Sequence, residues 1–280
     1  MRITFDMSVR DLVPPALLRA LKKTGGGFPL VYSTYEEALA ACASSGYEDE
    51  QLVAVIREKT RRLRDALRAP GPLGVNLTNF RTPLGIALAC RGPVLRVIDY
   101  GGACGAHYFT ARKLLDTDVK LIWNVVETPA MAAGAKDLEN EELRFFSDVD
   151  EAWRHAGTVD LLFSSSTLQY VPDAYGTLAA LVGRRAERVF LTRLGLGLGA
   201  REVVCVQRSR LSTNGPGPLP SGFTDREVRY PMTAMAKDSV ERIIGTEYEI
   251  RIAFEEDKGA YWPDGRPIDL YGYFAVRRPA

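Results

Sequence analysis

Asp99, Gly101, Gly102, Gly105 and Glu127 are the residues whose types and spacing most directly suggest chemistry. Asp99 follows Val94 to Ile98, a β-branched apolar run of the kind that forms a buried parallel strand. The three glycines permit a tight turn, and helical spacing resumes from Ala106 to Leu115, so the segment reads strand, glycine turn, helix. Such a turn aims backbone N–H groups and the positive end of a helix at whatever docks above the strand. Glu127 lies roughly 20 residues past Gly105, the interval at which an acid closing the second strand accepts hydrogen bonds from ribose hydroxyls. A cradle for a nucleoside is the expectation.

Which nucleoside depends on the glycine pattern. The dinucleotide fingerprint needs a glycine where Tyr100 stands. As acid-x-Gly-x-Gly-x-Gly, the segment fits with one departure, Ala103 in place of the middle glycine. That pattern is similar to motif I of class I S-adenosylmethionine (SAM)-dependent methyltransferases. An acid just before the glycines suits a ligand bearing an ammonium and a sulfonium and repels a diphosphate. Ribose belongs to SAM and NAD alike, so Glu127 supports a nucleoside without separating the two.

These residues need a sheet to hold them. After the cradle, strands and helices alternate, which argues for a parallel sheet wound on both faces. The strands are Lys120 to Val126, Leu143 to Phe146, Val159 to Phe163 and Arg188 to Thr192. Thr128-Pro129 caps the helix after Glu127. Ser147 and Asp148 close the third strand, where a small polar or acidic residue faces adenine or caps the following helix. Ser164 and Ser165 follow the fourth strand, and with Gln169 and Tyr170 they line the expected transfer site. Arg193 ends the fifth strand, to meet an anionic or carbonyl group of a substrate or to pair with a helix acid. Glu247 to Phe254 and Asp269 to Val276 are joined without a helix, which suits an antiparallel final pair.

The flanking segments read as covers. Residues 11–23 form a short amphipathic helix that packs on the domain or touches a membrane surface, and Gly25 to Gly27 break the chain. Ser33 and Glu36 have capping-box spacing for a helix to about Ser44. Asp49 to Ala69 is the longest helix, with Leu52, Ile56, Leu63 and Leu67 on one face and arginines 57, 61, 62, 64 and 68 elsewhere, read as a solvated face. Another helix begins at Pro83 after a Thr82 cap and closes before Gly92-Pro93. Residues 1–92 therefore read as a helical cap and residues 93–280 as the nucleoside-binding domain. Within the latter, 194–235, with a strand over Glu202–Val206 between mobile glycine- and proline-rich connections, reads as an insertion over the substrate mouth.

With 280 residues, 46% hydrophobic and 25% charged, the chain can bury a sizeable core. Its 36 basic and 35 acidic residues give a net charge of +1, so no global field favours nucleic acid. Cys42, Cys90, Cys104 and Cys205 are far apart, which argues against a zinc site or a disulfide framework and for reduced thiols in a cytoplasm. No apolar run reaches the ~20 residues of a membrane span.

With these residues in view, the chain resembles a bacterial family of SAM-dependent methyltransferases. The resemblance is carried by Asp99-Tyr-Gly-Gly-Ala-Cys-Gly-Ala-His-Tyr-Phe109, Trp123-Asn-Val-Val-Glu-Thr-Pro-Ala130, Leu143-Arg-Phe-Phe146, Ser164-Ser-Ser-Thr-Leu-Gln-Tyr-Val-Pro172 and Tyr32-Ser-Thr-Tyr-Glu-Glu-Ala-Leu39. It covers most of residues 28–195 and the last two strands, is weakest over 194–235, and is nearly silent on substrate. It implies a Rossmann-like, seven-stranded, mostly parallel α/β sheet with an antiparallel last strand. It also implies SAM as cofactor and S-adenosylhomocysteine (SAH) as product. Asp99, Gly101, Gly102, Gly105, Glu127, Thr128, Ser147, Asp148, Ser164 and Ser165 are then the cofactor residues. Gln169, Arg193 and Tyr230 fall to the substrate. His107, in the first turn after the glycines, is the candidate base or a residue orienting the loop, with Tyr108 and Tyr170 orienting substrate. A small-molecule oxygen or nitrogen acceptor, a natural product or saccharide, fits the aromatics Tyr32, Tyr35, Phe80 and Tyr230. A homodimer is compatible with this reading. The alternatives are a SAM- or nucleoside-binding partner protein without activity and an NAD-linked oxidoreductase.

Overall fold

Apolar strands buried on both faces set the centre of the molecule. The computed structural model describes residues 31–42, 48–74, 77–261 and 263–279. In chain order the elements are β1 (Val31–Tyr32), α1 (Tyr35–Ala40), α2 (Glu50–Arg68), α3 (Leu77–Ala89), β2 (Val94–Tyr100), α4 (Ala106–Leu114), β3 (Lys120–Val126), α5 (Pro129–Gly134) and β4 (Leu143–Phe146). They continue as α6 (Val149–Ala156), β5 (Leu161–Ser165), α7 (Ala174–Gly183), β6 (Arg188–Gly197), β7 (Val203–Arg210), β8 (Glu227–Ala236), α8 (Lys237–Gly245), β9 (Tyr248–Tyr261) and β10 (Ile268–Arg277).

Strands β4, β3, β2, β5 and β6 lie side by side in parallel, and β10 joins β6 antiparallel with β9 beyond it. The result is a Rossmann-like α/β sheet whose seven central strands end in the antiparallel pair that the sequence leads one to expect. The direction of winding reverses at β2, so the crevice above its carboxyl end is where a ligand belongs.

Three further strands extend this sheet. As far as Thr192, one edge of β6 pairs with β5; past Arg193, Leu196 and Gly197 pair on that edge with Met235 and Ala236 of β8. β7 runs antiparallel to β8, and β1 adds to β7. The sheet therefore forks at Arg193. The segment 194–235, expected to be mobile connections about a strand at 202–206, is half strand, because Val203–Val206 and Tyr230–Ala236 are continuous buried runs that pair across the sheet.

Two apolar layers flank the sheet. Leu95, Val97, Trp123, Phe163 and Phe190 share one layer with Leu52, Val55 and Ile56 of α2 and Ile86 and Ala89 of α3. Ile98, Leu162, Val189 and Leu191 face the other with Leu178 of α7 and Val240 and Ile244 of α8. Each such side chain contributes about 1.5–3 kcal/mol on burial, so α2 and α3 are integral to the sheet's core. Four of the arginines of α2, 61, 62, 64 and 68, face Glu58, Asp65 and Asp137 in pairs on the solvated face, whereas Arg57 Nε is buried without a partner. Buried among them, Lys59 donates to the carbonyls of Ser212 and Asn214 at 2.7 Å each, tying α2 to the turn between β7 and β8.

Several boundaries differ from the sequence reading. The helix cap is Thr34, whose hydroxyl accepts from Glu37 N–H, while the Glu37 carboxylate accepts from Ser33 N–H; the box sits one residue later than Ser33–Glu36 and the helix ends at Ala40. Pro83 lies inside α3, which begins at Leu77, so its ring costs one backbone bond instead of opening the helix. β5 starts at Leu161, two residues late, and β6 runs on through Arg193. The helix proposed for 11–23 and the glycines 25–27 lie outside the described residues. Among the described residues no helix is long and apolar enough to cross a membrane, and no cluster of three His, Cys, Asp or Glu could hold a metal ion.

Candidate functional site at the carboxyl edge of the sheet

The glycine turn after β2 is a backbone structure first. Gly101 (φ 75°) and Gly105 (φ 78°) adopt left-handed backbone that side chains resist, and Gly101 N–H donates to Val126 O at 2.8 Å. A Cβ at Gly101 would meet the Thr167 side chain at 2.1 Å, and one at Gly102 would meet the Asp99 carboxylate at 2.4 Å. Ala103, the departure from the glycine pattern, also sits left-handed at φ 49°. Its N–H donates to Glu127 Oε1 at 2.9 Å, a charge-assisted bond that offsets the strain.

Glu127 closes β3 beside this loop. Its other oxygen accepts from Thr128 N–H at 2.9 Å, and neither oxygen enters an ion pair among the described residues. Burial pushes its carboxyl up to about 7, against the lowering effect of the two N–H donors, with the Asp99 charge adding to the rise. Thr128 caps α5 through its hydroxyl. At the end of β4, Ser147 is exposed, and Asp148 is exposed and caps α6 by accepting from Glu151 N–H at 2.8 Å.

Asp99 is turned the other way. Alternation along β2 puts it with Val97 on the face covered by α4, where it is fully buried and accepts from Trp123 Nε1 at 3.1 Å. The acid therefore does not project at the edge; it underlies the glycines. Two pieces of the sequence pattern, Asp99 and Trp123, are explained as one contact. His107 lies over the same carboxylate, Nδ1 to Oδ2 3.7 Å, with its ring edge on Phe163 at 4.9 Å. Nδ1 is buried without a hydrogen-bond partner, so the accessible nitrogen of this partly exposed ring is Nε2.

Tyr108 is a correction. It is buried, and its hydroxyl donates to Glu142 at 2.9 Å, next to Arg112 at the amino end of the strands, far from the carboxyl edge. On a helix, adjacent residues point in different directions, so His107 and Tyr108 cannot both face the site.

The end of β5 supplies the remaining candidates. Ser164 is turned into the sheet, donating to Tyr100 O at 2.9 Å. Ser165 is buried with its hydroxyl unpartnered, and Gln169 is fully buried with Oε1 unpartnered. Tyr170 reaches Gln207, receives the Tyr35 hydroxyl on its own carbonyl, and meets Tyr230 edge-on at 6.0 Å. Tyr230, expected at the mouth, is buried and bonded to Asn214 at 3.1 Å, so it supports the wall without lining it. Arg193 is exposed at the fork. Sequence reasoning missed Thr167, which covers Gly101, and Glu256 of β9, which accepts from Thr192 Oγ1 and Arg193 N–H at 2.6 Å each. Thr167 stood in the serine run; Glu256 carried no local signal.

Among the described residues, six buried side-chain nitrogen or oxygen atoms have no hydrogen-bond partner. Four of them, Asp99 Oδ1, His107 Nδ1, Ser165 Oγ and Gln169 Oε1, belong to residues at or just after the carboxyl ends of β2 and β5. Buried polar groups are normally satisfied, so this concentration fits an edge built to receive a polar ligand. The glycine backbone and Glu127 suit the amino-acid and ribose ends of SAM. 

No sequence family profile and no curated protein matches the chain. Among solved structures, it is similar to an S-adenosylmethionine dependent methyltransferase from Mesorhizobium loti, with 14% identity over 70% of this chain and 96% of that one, at a TM-score of 0.42. Magnesium protoporphyrin IX methyltransferase (ChlM) from Synechocystis PCC 6803, with bound SAH, matches at 11% identity over 81% and 100%, at 0.41. The cyclase SpnF matches at 9% identity over 91% and 100%, at 0.47. The strand order and the edge geometry, not these distant likenesses, carry the reading that follows.

Proposed function

We propose that the chain is a SAM-dependent methyltransferase acting on an oxygen or nitrogen of a small-molecule acceptor. The observation that supports it best is Glu127: a carboxylate at the end of the strand beside the glycine turn, directed onto that turn and committed to no ion pair. Each of its oxygens keeps lone pairs for a ribose hydroxyl.

When bound, SAM supplies an electrophilic methyl group on a sulfonium. The chain's own part is to hold, orient and deprotonate. The glycine turn would border the amino-acid end, Glu127 would take the ribose, and Ser147 and Asp148 would border the adenine. Asp99 lies 3.7 Å from His107 Nδ1, on the buried side of the ring, and Nε2 on the other side is the atom to accept the acceptor's proton. Gln169, Tyr170 and Arg193 border the acceptor side. Residues 31–42 and 194–235, joined by the β1–β7 pairing, form the wall that excludes water there.

Calorimetric titration with SAH and with NADH tests the cofactor. Heat with SAH and none with NADH is the expected result; heat with NADH alone defeats the proposal. Methyl transfer then separates an enzyme from a nucleoside-binding partner protein.

A further inference from the structure

The fork between β5 and β6 is braced more heavily than a strand end requires. Ser166 (φ 57°) and Arg193 (φ 58°) are both non-glycine residues held left-handed, one on each side of it. Such backbone costs about 1–3 kcal/mol per residue and persists only where surroundings enforce it. Here Ser166 N–H donates to Thr192 O at 3.0 Å, and Glu256 Oε1 accepts from Arg193 N–H and from Thr192 Oγ1. The Gln169 amide nitrogen donates to Arg193 O at 3.1 Å and to Ser166 Oγ at 3.2 Å.

That last pair fixes the amide. Arg193 O can only accept, so the nitrogen must lie on its side and Oε1 must be the atom left over. Oε1 is buried and unpartnered, as is Ser165 Oγ one strand-end away. The Arg193 guanidinium pairs with no carboxylate among the described residues. Glu256, which holds the Arg193 N–H, spends one oxygen on that backbone and the Thr192 hydroxyl and faces Arg81 at 3.7 Å with the other. Tyr170 and Tyr261 lie close enough to Arg193 for its charge to act on their hydroxyls.

Resting on the methyltransferase reading, we propose that this fork is the acceptor subsite and that it takes an acidic, hydroxylated small molecule. Arg193 receives its carboxylate or other anionic group, while Gln169 Oε1 and Ser165 Oγ receive a hydroxyl. A fixed acceptor atom held against the Arg193 backbone, on a residue whose guanidinium enters no ion pair among the described residues, matches a donor and an anion on one molecule, and it discriminates against a neutral analogue that leaves the guanidinium unmatched.

The test uses full-length protein saturated with SAH and calorimetry with matched pairs: D-glucuronate against D-glucose, and 4-hydroxybenzoate against 4-hydroxybenzyl alcohol. In at least one pair the acid is expected to bind tenfold or more tightly than its neutral partner. Arg193→Gly, which suits the left-handed backbone and preserves the fold, should erase that margin without altering SAH affinity. Gln169→Ala should weaken both members of the pair alike. Equal affinity within every pair, or no binding by any acid, overturns the proposal, as does a margin that survives Arg193→Gly. Failure of the unmodified protein to bind SAH instead overturns the methyltransferase reading itself.

Discussion

Glu127 answers to pH twice, in opposite senses. Its carboxyl is raised from 4.5 to about 7 in the folded chain, so the stability tied to its protonated form is fully present below about pH 4.5 and is lost as pH rises through 7. Ribose hydroxyls need the ionised acceptor. SAH affinity is therefore expected to fall by up to about tenfold per pH unit below 7, and to level above it, in calorimetry from pH 5.5 to 8.5. Glu127→Gln sets its amide NH2 against one of the two N–H donors and should weaken SAH binding by about tenfold or more, the loss of a charge-assisted acceptor. Ala103 gives a second residue-scale test: Ala103→Gly removes the left-handed strain and is expected to stabilise the chain by up to about 1 kcal/mol in urea melts. His107→Ala should abolish transfer with SAH affinity nearly unchanged; a collapse of affinity would make His107 a support of the loop.

Elements were legible where local sequence decides them. Lys120–Val126 and Leu143–Phe146 match their expected bounds, because each is a mainly apolar run between turn residues. The fork was not legible. Arg193 breaks no local rule until Glu256, more than sixty residues later, claims its N–H. The inward turn of Asp99 could have been counted from Val97, since alternate strand residues share a face. α2 shows the same dependence on distant partners, because Lys59 sits in an arginine-rich stretch yet is buried against Ser212 and Asn214. Burial lowers its ammonium from the ordinary lysine range, with the Asp225 charge opposing. Lys59→Met keeps the volume and leaves two carbonyls unmatched, so a loss of about 2–3 kcal/mol is expected in denaturant melts; an unchanged midpoint would show that the tie contributes nothing.

At the scale of the molecule, the helices before residue 92 do not stand apart from the sheet. Leu52, Val55, Ile56 and Ile86 are buried among Leu95, Phe163 and Phe190, so a fragment of residues 93–280 is expected to lack cooperative thermal unfolding and native near-ultraviolet dichroism. Composition could not show this, since a helix covering a sheet and a helix covering a ligand carry the same apolar stripe. The added strands β7, β8 and β1 extend the Rossmann-like sheet beyond the fork, and four of the six unpartnered buried polar atoms belong to residues at or just after the carboxyl ends of β2 and β5. The most direct measurement is a crystal structure of the chain with SAH. Ribose hydroxyls within hydrogen-bond distance of Glu127, with the amino-acid end over the turn from Gly101 to Gly105, is the expected result. Adenosine bound elsewhere, or Glu127 making no contact with the sugar, would contradict it.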